Sequence, residues 1–259
     1  MAIDEQLIKA LHVETLRKAD MHAERDAHLL FQTSTIEALL EGAYDGDATF
    51  GELREHGDLG LGTFDACDGE MIAVDGEFLR ADVDGAIHAV EPAQRTPFAV
   101  LTFFRPTHSF ELAEALDEAA FMDALDAGIG DLGTAHAVRI DGSFQRVRAR
   151  SVARQHKPYP PLTQVVEDQH SFEIRDVEGT MVGFRFPDYA KGMNVPGYHL
   201  HFVTEDRARG GHVLGCEPHG VSVQIDDSVD LHVELPPGVE LTSPGATSDD
   251  ALRRVEREG

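Results

Sequence analysis

Three histidines have a spacing that suits a metal site. His199 and His201 stand two residues apart within 196–202, and on a β-strand such a pair points to one face of the sheet. His212 follows a charged connection that ends in two glycines, so a returning strand can bring its ring beside the first two. Three neutral imidazoles bind Zn²⁺ and leave a fourth coordination position for water or substrate. The spacing therefore predicts a catalytic metal centre; the alternative is a set of unrelated surface or core histidines.

The same histidines begin a second pattern. Residues 199–205 also match H-x-H-x3-E, the first metal motif of cupins, in which Glu205 would be a ligand as well. This pattern leaves open a cupin-like oxygenase or isomerase that acts on a small keto acid with iron or manganese. A third hypothesis is a structural zinc, which requires a fourth protein ligand in place of water.

Alternating arginines offer a candidate substrate clamp. Arg146, Arg148 and Arg150 share one face if residues 144–150 form a strand. A guanidinium binds a carboxylate through two parallel hydrogen bonds, so one of the three is a candidate contact for a substrate carboxylate. The alternative is a solvated face that balances the acidic surface, and the residues alone do not choose among the three.

The chain is strongly acidic. Its formal net charge of −25 arises from 47 acidic and 22 basic residues, and only four of the basic residues are lysines. The acidic residues are spread along the chain, and at low salt their mutual repulsion disfavours the compact state. At about 1 M salt the screening length falls to about 3 Å. The composition therefore predicts a halophilic source, and it argues against nucleic acid as a partner.

Several patterns bear on the compartment. The longest apolar run, 97–104, has the length of a strand and not of a membrane span. The first residues contain neither the basic nor the apolar segment of a secretion leader, so we expect a cytoplasmic protein without a membrane partner. Cys67 and Cys216 form no spacing motif, which favours buried or unreactive thiols in a reducing compartment.

Turn signals and apolar spacing along the chain predict an α+β fold dominated by mixed and antiparallel sheet, which must position the candidate residues. Asp-Gly pairs at 75–76, 84–85 and 141–142 predict hairpin turns, and apolar spacing over 110–127 predicts a helix. The proline-rich connector 155–163 is the predicted lobe boundary. The expected parts are a helical arm over 1–28, an α/β lobe over 29–154, and a mostly β lobe over 155–259 with the metal ligands and a C-terminal tail.

From about Leu30 onward the chain resembles the alpha-acetolactate decarboxylase family. Several independent segments match in the same order, and neither rival hypothesis accounts for them. The segments are FQTSTIEAL at 31–39, YDGDATFGEL at 44–53, HGDLGLGTF at 56–64, DGEM at 68–71, TPFAV at 96–100, KPYPP at 157–161 and NVPGYHLHF at 194–202.

The resemblance implies a zinc enzyme with one metal ion between two α/β lobes, commonly as a homodimer. The family's metal ligands correspond to His199, His201 and His212. Its other site residues correspond to Thr63, Glu70, Arg150 and, in the C-terminal tail, Glu256, with Glu258 as the alternative.

The reaction implied by the resemblance is decarboxylation of (S)-2-acetolactate to (R)-acetoin and CO₂. Loss of CO₂ leaves an electron pair that must spread onto the neighbouring carbonyl oxygen as an enediolate, and Zn²⁺ is expected to stabilise this charge as a Lewis acid. Arg150 is expected to orient the departing carboxylate or to stabilise the enediolate. Glu70 or Glu256 is expected to deliver the proton, and Thr63 to contribute a hydroxyl contact to the substrate.

Overall fold

Strands dominate the fold. The computed structural model describes residues 12–16, 28–228, 230–239 and Val255, and of 12–16 it describes the backbone alone. These residues contain fifteen strands and four α-helices. The strands are β1 (His12–Leu16), β2 (Leu29–Thr33), β3 (Ala48–Thr49), β4 (Leu59–Thr63), β5 (Glu70–Val74), β6 (Glu77–Ala81), β7 (Ile87–Ala89), β8 (Arg95–Thr96), β9 (Ala99–Thr102), β10 (His108–Ala115), β11 (Ala135–Ser151), β12 (His170–Phe186), β13 (Gly197–Thr204), β14 (Gly210–Ser228) and β15 (Asp230–Glu234). The helices are α1 (Ile36–Leu40), α2 (Phe50–Leu53), α3 (Glu118–Ile129) and α4 (Leu162–Val165).

The strands form two large sheets and one small ribbon. The first sheet has eight strands in the order β1-β15-β2-β9-β4-β5-β6-β7; β1, β15 and β2 run parallel, and the other neighbours are antiparallel. The second sheet is antiparallel, with the order β10-β14-β11-β12-β13. β13 also pairs with β14, so this sheet closes on itself near His201 and His212. The predicted α+β class with mixed and antiparallel sheets is confirmed.

The two sheets share a core of alternating apolar side chains. Ile72 of β5 and Phe184 of β12 belong to the layer between the sheets. Met71, one residue before Ile72, belongs to a separate core on the other face of the first sheet, together with Phe50 of α2. Because strand side chains alternate between faces, Glu70 shares the face of Ile72 and is carried into the layer between the sheets.

Local signals account for elements near this layer. Asp75 and Gly76 both have positive φ, 54° and 76°, and form the predicted two-residue turn between β5 and β6. The side chain of Thr35 accepts a hydrogen bond from the backbone N–H of Ala38 and caps the start of α1. The turn sets the pairing of β5, which begins at Glu70, and the cap sets where α1 begins.

The described strands do not follow the predicted chain divisions. The expected helical arm over 1–28 contains strand β1, which pairs in parallel with β15, because hydrogen bonds to a neighbouring strand outweigh weak helical spacing. The remainder of 1–27 lies outside the described residues. The predicted boundary at 154/155 does not separate the sheets, because β11 and β12 flank it and pair with each other along most of their lengths. β15 from the C-terminal part joins the first sheet.

Two predicted local elements also differ from the structure. The helix expected over 110–127 begins only at Glu118, where Asp117 caps it, and 108–115 is strand β10, paired with β14. The hairpin turn expected at 141–142 does not form, because β11 continues through both residues to Ser151. None of the described helices combines the length and the apolar character that a membrane-spanning helix requires.

Candidate metal centre

The three histidines meet across two neighbouring strands. His199 and His201 lie on β13, and His212 lies on β14 directly opposite His201. Arg150 of β11 is directly opposite His212 on the other side of β14. Because β14 pairs with both neighbours, Arg150, His212 and His201 form one continuous cross-strand row. The returning strand therefore brings His212 beside His199 and His201, as the spacing predicted.

The distances among the three rings suit one small ion. The ring centroids are 5.2 Å apart for His199 and His201, 5.0 Å for His199 and His212, and 5.3 Å for His201 and His212. One ring nitrogen of each residue lies within 4.8 Å of the other two, and all three residues are buried. Nε2 of His201 and Nδ1 of His212 are 3.4 Å apart. This separation is close to the roughly 3.3 Å expected between two nitrogens that bind one Zn²⁺ tetrahedrally.

Burial favours the neutral form of His199 and His201, which is the form that binds a metal. Burial lowers the pKa of His201 to about 3; the backbone carbonyl of Met71 opposes this shift, and the positive charge of Arg150 adds to it. Burial also lowers the pKa of His199 well below its usual value. Nδ1 of His201 donates to the carbonyl oxygen of Met71 at 2.7 Å, so its Nε2 carries no proton in the neutral ring. A carbonyl that holds the far nitrogen in this way is the usual support of a metal-binding histidine.

A divalent cation fits this group of residues. Nδ1 of His199 is buried and has no hydrogen-bond partner among the described residues. A buried nitrogen in that state is costly unless something binds there. Three imidazole nitrogen donors match the ligand preference of Zn²⁺ and other first-row metals.

Thr63 and Glu70 face the histidines from the other sheet. They are directly opposite each other on β4 and β5. Oε2 of Glu70 lies 3.7 Å from Nε2 of His201, and burial raises the pKa of the Glu70 carboxyl while the Arg150 guanidinium opposes that rise. The Thr63 hydroxyl donates to the carbonyl oxygen of Gly69 at 2.8 Å. Its proton is thus already engaged, and Thr63 supports the residue before Glu70 while retaining acceptor capacity.

Arg150 is the arginine that reaches the site. Its Nη1 donates to Oε1 of Glu70 and its Nη2 donates to the carbonyl oxygen of Val255, each at 2.9 Å. Its Nε is buried without a partner among the described residues. Arg146 and Arg148 instead form partly exposed ion pairs with other acidic residues. The structure thereby separates three arginines that the alternating pattern left equivalent.

These residues enclose a cavity with one polar and one apolar side. Its volume is about 30 Å³. The polar side consists of the three histidines, Thr63, Glu70 and Arg150. The apolar side includes Ile36 and Leu39 of α1, Phe98, Leu162 of α4 and Val255. Sequence reasoning missed this apolar wall, because ordinary core residues carry no local signal of a cavity. Glu256 and Glu258 lie outside the described residues.

The rival ligand Glu205 is not part of the group. It lies exposed in the turn between β13 and β14, where its backbone N–H donates to the carbonyl oxygen of Glu178. The cupin-like ligand set is therefore wrong. Within the part of the chain that the structure describes, the group whose potential ligand atoms all lie within 4.8 Å of one another consists of these three histidines.

Two antiparallel-rich sheets hold three buried imidazoles, which could bind a metal ion, and an arginine–carboxylate pair between them, an arrangement typical of an enzyme active site. The sequence profile of the alpha-acetolactate decarboxylase family matches residues 30–242. The chain belongs to this family and is accordingly an enzyme, a carboxy-lyase.

Similar proteins cover most of the chain. An alpha-acetolactate decarboxylase of Methylococcus capsulatus is 45% identical over 260 residues, which cover 99% of this chain and 100% of the relative. One of Methanosarcina mazei is 42% identical and covers 88% of this chain and 80% of its own length. The crystal structure of alpha-acetolactate decarboxylase from Bacillus subtilis strain 168 superposes with a TM-score of 0.83 at 36% identity, covering 88% of this chain and 99% of that one.

Proposed function

We propose that this chain converts (S)-2-acetolactate to (R)-acetoin and CO₂ with one Zn²⁺ held by His199, His201 and His212. The observation that carries the proposal is that the buried imidazoles and the unpartnered Nε of Arg150 line the same cavity, in a chain of this family. Neutral imidazoles are ready to bind a cation, and a buried guanidinium donor is ready to bind an anionic group.

The reaction requires charge stabilisation beside the breaking bond. When the bond between the substrate's second carbon and its carboxylate breaks, an electron pair stays on the substrate and develops as negative charge on the adjacent ketone oxygen. A bound Zn²⁺ supplies Lewis acidity for that charge. The buried site excludes bulk water, so each fixed donor acts more strongly there than in solvent.

Arg150 binds and orients the carboxylate that departs. Glu70 accepts from Nη1 and the Val255 carbonyl accepts from Nη2, which fixes the plane of the guanidinium. Nε remains to donate to the substrate. Because both Nη atoms are held, the N–H bond of Nε points in one defined direction. A fixed donor direction is needed to align the substrate's carboxylate and the bond that breaks.

Glu70 is the proposed proton donor. The proton must reach the carbon that has lost CO₂, and its delivery from one face sets the handedness of the acetoin. A raised pKa, which burial causes here, keeps a larger share of the Glu70 carboxyl protonated near neutral pH. Glu256 of the C-terminal tail is the proposed alternative donor, and Thr63 is the proposed hydroxyl contact, acting as acceptor because its proton is engaged by Gly69.

The proposed setting is a salt-rich cytoplasm with the protein as a homodimer. The net charge of −25 supports the salt requirement, since only high ionic strength screens so many like charges. Light scattering of the purified protein in high salt tests the dimer; a mass of one chain would contradict it.

The decisive experiment supplies purified, metal-analysed protein with racemic 2-acetolactate in high salt. We expect acetoin and CO₂ in equal amounts, and (R)-acetoin on a chiral column. A reaction without protein is the blank, because 3-keto acids lose CO₂ slowly unaided. Stoichiometric zinc without acetoin above the blank would contradict the proposal.

Metal dependence is tested at His201. His201→Ala should abolish stoichiometric zinc and turnover, because two imidazoles rarely hold Zn²⁺ firmly. His88→Ala is the matched control, since His88 is an exposed histidine that pairs with Asp82. Full zinc content and full turnover in His201→Ala would show that the ligand assignment is wrong.

A further inference from the structure

A buried pair of side-chain amides joins the first sheet to the segment that leads into the metal-binding strand. Gln32 of β2 is 0% exposed and Asn194 is 1% exposed. Both belong to segments that carry the family resemblance, yet neither lines the cavity. Amides are expensive to bury unless every donor and acceptor is used, so their presence in an apolar layer calls for a physical reason.

Gln32 uses both ends of its amide. Nε2 donates to the carbonyl oxygens of Ser34 and Met193, each at 2.8 Å. Oε1 accepts from Nδ2 of Asn194 at 2.8 Å, and Oδ1 of Asn194 accepts from the backbone N–H of Val195 at 2.7 Å. Carbonyl oxygens only accept, so they determine which end of the Gln32 amide faces them. The result is a connected set of bonds between β2 and residues 193–195.

The same segment also meets α1. The backbone N–H of Ile36 donates to the carbonyl oxygen of Met193 at 3.1 Å, and that of Glu37 donates to the carbonyl oxygen of Gly192 at 3.4 Å. These are first-turn N–H groups that have no partner within the helix itself. Since Ile36 belongs to the cavity wall, residues 192–195 connect the wall to the strand that carries two metal ligands.

His199 depends on this connection more than His201 does. β13 pairs with β12 along its whole length, but its pairing with β14 covers only 201–203. Among the described strands, β13 therefore has a paired neighbour at His199 on one side, which is β12. What holds the start of β13 in place is its pairing with β12 and the anchored segment before it.

We propose that Gln32 and Asn194 are positioning residues that fix the start of β13, and with it His199, relative to α1 and the other two histidines. The proposal rests on the proposed metal centre, because the site that the pair positions is that centre. Loss of the pair should widen the range of His199 positions in folded protein, so Zn²⁺ is held less firmly and the reacting groups are aligned less often.

The test uses two substitutions and two controls. Gln32→Met keeps the side-chain length and removes all three amide bonds; Asn194→Ser removes the bond to Gln32 and retains a hydroxyl near the N–H of Val195. Gln145→Met is the matched control, because Gln145 is exposed on β11. Leu125→Ala, in the core between α3 and the second sheet, controls for general loss of stability.

Three measurements are made on folded protein well below its unfolding temperature. They are Zn²⁺ affinity by competition with a coloured chelator, the visible spectrum of Co²⁺-loaded protein as a report of ligand geometry, and hydrogen exchange of residues 190–203 in metal-free protein. Gln32→Met should weaken Zn²⁺ binding on the order of 10-fold, alter the Co²⁺ spectrum and speed exchange. Asn194→Ser should do the same to a smaller extent, and with acetolactate kcat should fall more than KM rises.

Wild-type Zn²⁺ affinity and an unchanged Co²⁺ spectrum in Gln32→Met would overturn the proposal, as would equal weakening in Leu125→Ala. If Gln32→Met does not fold, Asn194→Ser decides by the same two readouts. Failure of the proposed reaction would give a different result. Wild-type protein would then bind metal but form no acetoin, while Zn²⁺ affinity and the Co²⁺ spectrum would still differ between the two variants and their controls.

Discussion

Nη1 of Arg150 donates to Oε1 of Glu70 at 2.9 Å, across the layer between the two sheets. Arg150 is 5% exposed and Glu70 is also 5% exposed, so water screens their attraction little. Burial disfavours the ionised form of Glu70 and raises its pKa, while the neighbouring Arg150 guanidinium opposes that rise. The pair holds Arg150 and Glu70 in one fixed arrangement. Each of the two side chains is therefore tested by its own substitution.

The first prediction concerns the guanidinium. Arg150→Lys keeps the positive charge but loses the fork of donors, so kcat/KM should fall by about 10²–10³ while zinc content is retained. Turnover kinetics and metal analysis check this. Arg146→Lys is the matched control, since Arg146 pairs with Glu217 at the partly exposed surface and should retain activity. Unchanged turnover in Arg150→Lys would remove Arg150 from the mechanism.

Substitution of the carboxyl tests the proton donor. Glu70→Gln preserves shape and an acceptor oxygen for Arg150 but cannot supply the proton, so turnover should fall while the fold and zinc remain. The expected loss is about 10²–10⁴-fold, the usual contribution of a general acid or base. Rate, circular dichroism and zinc content are measured together. A wild-type rate would assign proton delivery to another group, such as Glu256.

Substitutions at Thr63 distinguish two roles of its hydroxyl, which are the hydrogen bond to the backbone and the proposed contact with substrate. Thr63→Val removes the bond to the Gly69 carbonyl, leaves that oxygen unsatisfied and should lower the free energy of unfolding by about 1–3 kcal/mol. Thr63→Ser retains the hydroxyl and should recover most of the stability and turnover. Denaturant unfolding and kinetics of both variants check this. Equal stability of Thr63→Val and wild type would show that the hydroxyl does not support Gly69.

Salt dependence follows from the surface charge. Raising salt from about 0.1 M to about 1 M shortens the screening length from about 10 Å to about 3 Å, which should raise the thermal unfolding midpoint. Screening also weakens surface ion pairs such as Lys157–Asp45, but each is worth at most about 1 kcal/mol, and the net charge of −25 means that repulsions prevail.

Scanning calorimetry in KCl measures that midpoint, with sucrose at equal osmolarity as the control that leaves repulsion unscreened. Equal gains in KCl and sucrose, or no dependence on KCl, would contradict the predicted adaptation to salt.

Elements governed by short-range chemistry were predictable. The two-residue turn at Asp75–Gly76 requires positive φ at both positions, which Asp-Gly supplies readily. The pairing of His201 with His212 needs only a strand, a short connection and a return strand. Where local signals were weak, neighbours decided: β10 is a strand because β14 lies beside it, although its residues also fit helical spacing.

Residue types and spacing along single strands were enough to predict that His199, His201 and His212 meet, and to predict the sheet-rich class of the fold. The alternating pattern left Arg146, Arg148 and Arg150 equivalent, and only the family resemblance favoured Arg150. Tertiary structure placed Arg150 against Glu70, set Thr63 opposite Glu70, and brought Gln32 to Asn194. The physical reason is range: alternation and turn chemistry act over a few residues, whereas packing of one sheet on another brings together side chains 80 or more positions apart, such as Glu70 and Arg150.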